Sequence, residues 1–368
     1  RLGGDEFGVL LEDLAQPDSA LETATRITEA VRPPLMVAGH QVLITISVGI
    51  ALASETCDAT EQLLRAADVA LYEAKAAGKD RFEVFDSQML TDVFSRIALK
   101  ADLAILAERP EQLELHYQPI VEIRTGKITG LETLVRWQHP KRGLLYPDAF
   151  IKSAEETGAI AAIGAAILEQ ACEQFSLWRV RGIDCQNISV NLSARQLREP
   201  DLVATVKGAL NRHGMSPDQL TLEVTETIMM LDAEKAIERL HELKTLGVEI
   251  AIDDFGTGYS SFEYLRRLPV DTLKIDRTFT SELGRDSNTV VLVDLMNQLA
   301  HAVGLRTVVE GVETEEQLQT VRLLACDEAQ GYLVARPAAA AAIEELISRG
   351  TWDGATTGLR EMTAQLRG

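Results

Sequence analysis

Four side chains offer the oxygen atoms that a hard divalent cation prefers: Glu132, Asn191, Glu223 and Asp253. Asp254 sets a second carboxylate directly beside the last of them. Such a set suits Mg²⁺ or Mn²⁺ rather than zinc, which would draw on His or Cys. Two adjacent carboxylates can bridge a pair of ions about 4 Å apart, a geometry that clamps both the attacking and the leaving oxygen of a phosphodiester. Taken singly, each acid reads as a solvated residue at the start of a loop, because charged side chains are mostly exposed. Taken together they fall at the ends of four different predicted strands, and that shared placement favours a site.

Further groups join this set. Lys274 lies on the predicted inward face of its strand, where an ammonium is costly unless paired. Beside acids it stays protonated and can hold a water; the plainer alternative is an ion pair with Asp276. Glu310 is a candidate either for a second metal or for orienting the attacking water. Arg136 shares a strand face with Glu132 and suits bidentate contact with a phosphate; its alternative is a surface arginine. Residues 254–261, Asp-Phe-Gly-Thr-Gly-Tyr-Ser-Ser, read as a mobile loop over the site, with Glu226 as its anchor rather than as a metal ligand.

The elements that must position these groups run from Leu113 onward. Eight strands are predicted, at 113–121, 128–136, 187–192, 220–225, 248–253, 271–275, 305–310 and 326–332. Helices such as Ala162–Arg179, Asp232–Leu246 and Val290–Val303 alternate with them. Strands alternating with helices in this way mark an α/β fold of the (β/α)8 barrel type, whose chemistry sits at the C-terminal strand ends. Gln118, Glu132, Asn191, Glu223, Asp253, Lys274, Glu310 and Gln330 all map there. The connection from Ile123 to Lys127 is too short for a crossover helix, so the first two strands are expected to pair antiparallel. Before the barrel, residues 1–86 read as a small α/β piece. It has an apolar run at Phe7–Leu11, a helix over Leu21–Val31, a strand over Gln41–Leu52, and a helix over Leu63–Ala77 that buries Leu63, Ala67, Leu71 and Ala74 and ends at Gly78. Residues 87–110 form a linking helix, 111–350 the barrel and 351–368 a tail.

Composition narrows the function classes. The chain has 368 residues, 46% hydrophobic and 25% charged, as soluble globular proteins do. A formal charge of −20 argues against DNA, RNA or an anionic membrane as partner. Cys57, Cys172, Cys185 and Cys326 form no C-x-x-C pair and read as small apolar residues in a reducing, cytoplasmic setting. No apolar run is long enough to span a bilayer, and the opening residues read as part of a longer protein.

At this point the blocks resemble a known family. Glu132-Thr-Leu-Val-Arg136 resembles the naming motif of the EAL phosphodiesterases, with Thr133 in place of alanine. Tyr117-Gln-Pro-Ile120, Asn191-Leu-Ser193, Glu223-Val-Thr-Glu226, Asp253-Asp-Phe-Gly256, Leu273-Lys-Ile-Asp276, Glu310-Gly-Val-Glu313 and Gln330-Gly-Tyr332 follow in the family's order. The resemblance covers about 111–340. It implies a TIM-like barrel that hydrolyses cyclic di-GMP to linear pGpG on two Mg²⁺ or Mn²⁺ ions, with Ca²⁺ inhibitory, as a homodimer. It places Glu132, Asn191, Glu223, Asp253 and Asp254 at the metals, Lys274, Glu310 and Glu226 in catalysis, and Gln118, Arg136, Asp276 and Gln330 around the substrate. Residues 1–86 resemble the C-terminal half of a GGDEF diguanylate cyclase domain, with Gly3, Gly4, Asp5, Glu6, Lys75 and Lys79 as an incomplete site from which no cyclase activity is expected. Two rival readings are a non-enzymatic cyclic di-GMP receptor and a metal-dependent barrel lyase or isomerase.

Overall fold

The computed structural model describes residues 1–12, 14, 16–53, 60–183, 185–226, 233–257 and 262–348. Its contacts divide the chain into two compact units, 1–99 and 100–368. The long helix Ser87–Glu108 carries the chain from one to the other.

The first unit is built on helices Asp18–Val31 and Thr60–Ala76 and on two small sheets. Leu35–Val37 pairs antiparallel with His40–Val42, and Val48–Ile50 pairs parallel with Phe82–Val84. The single strand expected over Gln41–Leu52 is therefore two short ones separated by unpaired backbone. The apolar run Phe7–Leu11 lies outside any strand, with Phe7, Val9 and Leu10 exposed. The second helix buries Ala66, Ala70 and Ala74, not the predicted face of Leu63, Ala67 and Leu71, which are only partly buried. The reason is close approach. A Cβ on Gly49 would lie 2.0 Å from the Ala67 carbonyl oxygen, so the helix backbone rests directly on the strand and only small side chains fit between. Gly78, at φ 111°, ends that helix as expected.

The second unit is a closed eight-stranded barrel. Its strands are β1 (Leu113–Glu122), β2 (Ile128–His139), β3 (Asn187–Asn191), β4 (Leu220–Thr225), β5 (Glu249–Phe255), β6 (Thr272–Ile275), β7 (Arg306–Val309) and β8 (Glu328–Gln330). From β2 to β8 each strand pairs parallel with the next. β1 runs against both of its neighbours, pairing Gln118 with Glu132 of β2 and Ile120 with Gln330 of β8. The short turn after β1 thus has the expected effect, because five residues allow a hairpin and no crossover. Two short strands extend the sheet outside the ring, Gly143–Leu145 on β2 and Ala338–Ala339 on β1.

Helices Ile160–Val180, Leu202–His213, Ala233–Leu246, Ser287–Ala302 and Glu315–Leu323 fill the spaces between strands. The first of them buries Ile163, Ile167, Ala171, Phe175 and Trp178, the stripe that a 3.6-residue repeat lays against a core. Trp178 meets Tyr117 of β1 edge to face, with ring centroids 4.7 Å apart. Asp271 ties the strand bases together, accepting Lys244 Nζ and the Ile250 backbone N–H at 2.8 Å. Cys172, Cys185 and Cys326 are buried; Cys57, the end of the loop 254–261 and the tail lie outside the described residues. Among the described residues no helix is long and apolar enough to cross a membrane.

Candidate active site

The alternation of a strand aims residues two apart at the same side, and the predicted site residues that lie on strands exploit it. Glu132 of β2, Glu223 of β4 and Asp253 of β5 turn into the lumen, and Glu310 follows β7. All four converge on the ammonium of Lys274 from β6. Lys274 Nζ lies 2.7 Å from Glu310, 2.8 Å from Glu223, 3.2 Å from Asp253 and 3.6 Å from Glu132. Lys274 and Glu223 are each 1% exposed. Burial opposes the charge on Lys274, but Asp253, Glu132, Glu223 and Glu310 outweigh it and hold its pKa well above the ordinary value. The partners of Lys274 are thus these four acids. Asp276 serves elsewhere, capping the helix Arg277–Glu282 by accepting from the Thr278 N–H at 2.9 Å and the Thr278 hydroxyl at 2.6 Å.

Two amides steady Glu132. Asn191 Nδ2 donates to one of its oxygens at 3.0 Å, and Gln330 Nε2 donates to the other at 2.5 Å and to Gln118 Oε1 at 3.0 Å. Gln118 in turn donates to the Ala335 carbonyl. Gly331 lets Gln330 reach this place: a Cβ there would sit 2.0 Å from the Val312 carbonyl oxygen, so no side chain fits. Glu226 accepts the Gly256 backbone N–H at 3.0 Å, the arrangement of a loop anchor. Arg136 is 6% exposed, with its guanidinium carbon 4.8 Å from the ring of Tyr146. Tyr332 and Arg336 make a second such pair at 4.2 Å. The sequence carries no signal for Tyr146, since the strand before it is an addition to the barrel pattern.

Whether a cation fits can be judged from the charge. Five carboxylates face one ammonium, which leaves negative charge in excess at a buried place. Glu310 records that excess, its pKa pushed up to about 8 by burial and by Asp253 and Glu132 in spite of Lys274. Asp254 is raised to about 6 by burial, then by Asp253 and Asp276. Asp253, Asp254 and Glu310 each offer an oxygen, and these atoms lie within 4.8 Å of one another. Asp254 holds a left-handed backbone, φ 54°, which costs a non-glycine residue on the order of 1–3 kcal/mol and is the kind of strain that functional sites store. An all-oxygen donor set with surplus negative charge fits a hard divalent cation. In the first unit, by contrast, Gly3 and Glu6 form an isolated antiparallel bridge, and Gly3, Gly4, Asp5, Glu6, Lys75 and Lys79 are all exposed. Among the described residues Asp5 and Glu6 belong to no acidic trio.

A barrel whose C-terminal end gathers carboxylates around a lysine defines a class of metal-assisted barrel proteins. The EAL domain matches residues 102–337, and the chain belongs to that family. The diguanylate cyclase GGDEF domain matches residues 1–81. The chain is 43% identical over 337 residues to the bifunctional diguanylate cyclase/cyclic di-GMP phosphodiesterase MucR of Pseudomonas aeruginosa, covering 92% of this chain and 49% of MucR. It is 38% identical over 355 residues to the cyclic di-GMP phosphodiesterase NbdA of the same organism, covering 96% of this chain and 45% of NbdA. The chain therefore spans about half the length of these relatives. Among solved structures it is similar to the PaMucR phosphodiesterase in complex with c-di-GMP, at 46% identity and TM-score 0.63, over 67% of this chain and 99% of that one. It is also similar to the EAL enzyme Bd1971 with cAMP and cyclic di-GMP bound, at 31% identity and TM-score 0.65, over 79% and 77%.

Proposed function

We propose that this chain hydrolyses cyclic di-GMP to linear pGpG with two Mg²⁺ or Mn²⁺ ions. The observation that carries the reading is the convergence of Glu132, Glu223, Asp253 and Glu310 on Lys274 at the C-terminal end of the barrel, with Asp254 beside them. Glu132, Asn191, Glu223, Asp253 and Asp254 would hold the ions. When bound, such ions supply Lewis acidity and lower the pKa of a water that attacks phosphorus. Lys274 and Glu310 hold and orient that water. Arg136, Gln118, Gln330 and Asp276 line the place of the ester, and Glu226 fixes the loop above it through Gly256. The balance is simple: water adds to phosphorus, the bond from phosphorus to one 3′-oxygen breaks, and that oxygen leaves with a proton.

The reading extends to the assembly. A homodimer is supported by Val291, Leu292 and Leu295, large apolar side chains left exposed on the helix Ser287–Ala302. A cytoplasmic place follows from the substrate. The deciding experiment incubates the chain with cyclic di-GMP and Mg²⁺, Mn²⁺ or Ca²⁺ and identifies products by mass spectrometry. Linear pGpG is expected with the first two and none with Ca²⁺, whose looser coordination holds water and phosphate less strictly. Tight binding with no turnover under any ion would instead make the chain a receptor, and turnover in excess chelator would remove the metals from the reading.

A further inference from the structure

The interior of a parallel barrel is ordinarily packed with layers of bulky branched side chains. Beneath the acid cluster this one is not. Ser189, Thr221, Ala251 and Thr272 come from four successive strands, β3 to β6, and Gly130 of β2 contributes no side chain at all. With Ile120 of β1 and Val308 of β7 on the remaining side, they line a cavity of about 240 Å³ that reaches down to the base of the barrel. Its roof is Glu223 and Lys274, the buried pair at the centre of the site. Its floor is Glu249 and Arg306, joined at 2.6 Å at the opposite end of the barrel, where both side chains reach solvent. Arg306 lies across that floor, its Nη2 also 3.5 Å from the Thr272 hydroxyl.

Cavities of this kind are not dry. Empty cavities in proteins are apolar, whereas a polar cavity with room for a water and two to four partners for it holds water. Hydroxyls line this wall, and charged groups stand at both ends. We infer that the barrel is a hydrated shaft, open at its floor past Arg306, through which water reaches the underside of the Lys274–Glu223 pair by a route separate from the substrate mouth. An ester seated at the mouth then leaves the buried Lys274–Glu223 pair with a second supply of water, and the water consumed in each turnover can be replaced from below. The inference concerns the lumen alone. No ester is needed to test it, so its failure would leave the proposed reaction untouched.

The test places a thiol in the shaft. Ser189→Cys is nearly isosteric, and Thr272→Cys serves as a second position should the first not fold. The probe is a small cationic methanethiosulfonate reagent: the introduced thiolate attacks its sulfenyl sulfur, methanesulfinate leaves, and a mixed disulfide remains, located by peptide mass mapping. The rate is then measured again with Arg306→Ala added, which widens the floor and leaves the mouth alone. Modification at either position that speeds up at least threefold with the wider floor supports the shaft. Two results overturn it: no modification at either position in variants that melt like the parent, or a rate that Arg306→Ala does not change. A high-resolution crystal structure of the same chain gives an independent check. Ordered waters between Arg306 and Lys274 support the inference, and a lumen without them refutes it.

Discussion

In the barrel, carboxylates from β2, β4 and β5 and the residue after β7 crowd around one buried ammonium, and their charge is felt: burial and neighbouring acids raise Glu310 to about 8 and Asp254 to about 6. In the first unit Asp5 and Glu6 stand exposed on a single-bridge hairpin, with no third acid beside them among the described residues. The residue types are the same, and both sets follow a family motif. What differs is enclosure. Acids held out of water by a closed sheet bind a cation strongly because they have no better partner, while acids in water already have one.

The sharpest test of this contrast removes one acid from each unit. Glu132→Ala is expected to lower turnover of cyclic di-GMP by at least about 10³-fold, since a lost metal ligand weakens both binding and activation of water. Glu6→Ala should leave turnover within about twofold, measured beside circular dichroism of both variants; equal losses would erase the distinction. Lys274→Ala comes next, with kcat down by about 10²–10³-fold and substrate affinity little changed, as expected of a group that acts on the water in the transition state.

Metal affinity should carry the signature of the raised carboxylates. Glu310 near 8 and Asp254 near 6 are protonated below those values in the metal-free protein, and a cation held at Asp253 and Asp254 beside them favours both ionised. Binding therefore releases protons, and Mn²⁺ affinity should climb from pH 6 to pH 8, by at most about tenfold per pH unit for each proton released, and flatten above. Calorimetry in buffers of different ionisation enthalpy checks this; a flat profile would mean that no cation binds beside these acids. Gly49→Ala sharpens the comparison from the other side. With a Cβ 2.0 Å from the Ala67 carbonyl, it should destabilise the first unit by about 1–3 kcal/mol, the ordinary cost of overpacking, while phosphodiesterase activity stays within twofold. A parallel loss of both would join what the contacts divide. The smallest expected effect is none: GTP and Mg²⁺ should yield no cyclic di-GMP from this chain, followed with Ca²⁺ present to suppress hydrolysis.

Much of this was legible in the sequence because barrel strands announce themselves twice. Their spacing set the ring, and the parity of Ala251 with Asp253 and of Thr272 with Lys274 set which groups share the lumen. The antiparallel β1 was legible from five residues of turn. Other features had no local signal. The choice of Ala66, Ala70 and Ala74 as the buried helical face depends on Gly49, which lies on a separate element, and hydrophobicity alone pointed to Leu63 and Leu71. Asp276 stood as the alternative partner of Lys274 because the two share a strand face, but the chain turns into a helix there and needs a cap. The hydrated shaft was hidden because Ser189, Thr221 and Thr272 read simply as ordinary strand residues, and only closure of the ring shows that nothing larger fills the space between them.

The antiparallel β1 also bears on how the molecule comes together. β1 and β2 pair across a short turn, so they can zip early, whereas β8 meets β1 only after more than two hundred residues of intervening chain. Pairings between distant residues form slowly, because a long loop must close before they are rewarded. The Gln330 amide that holds Glu132 and Gln118 arrives with that last strand. A chain still being made, or one stopped short of β8, would carry every acid of the site with no ring to enclose them. Assembly of the site and completion of the fold are thus a single event, and no active half-formed barrel stands on the way.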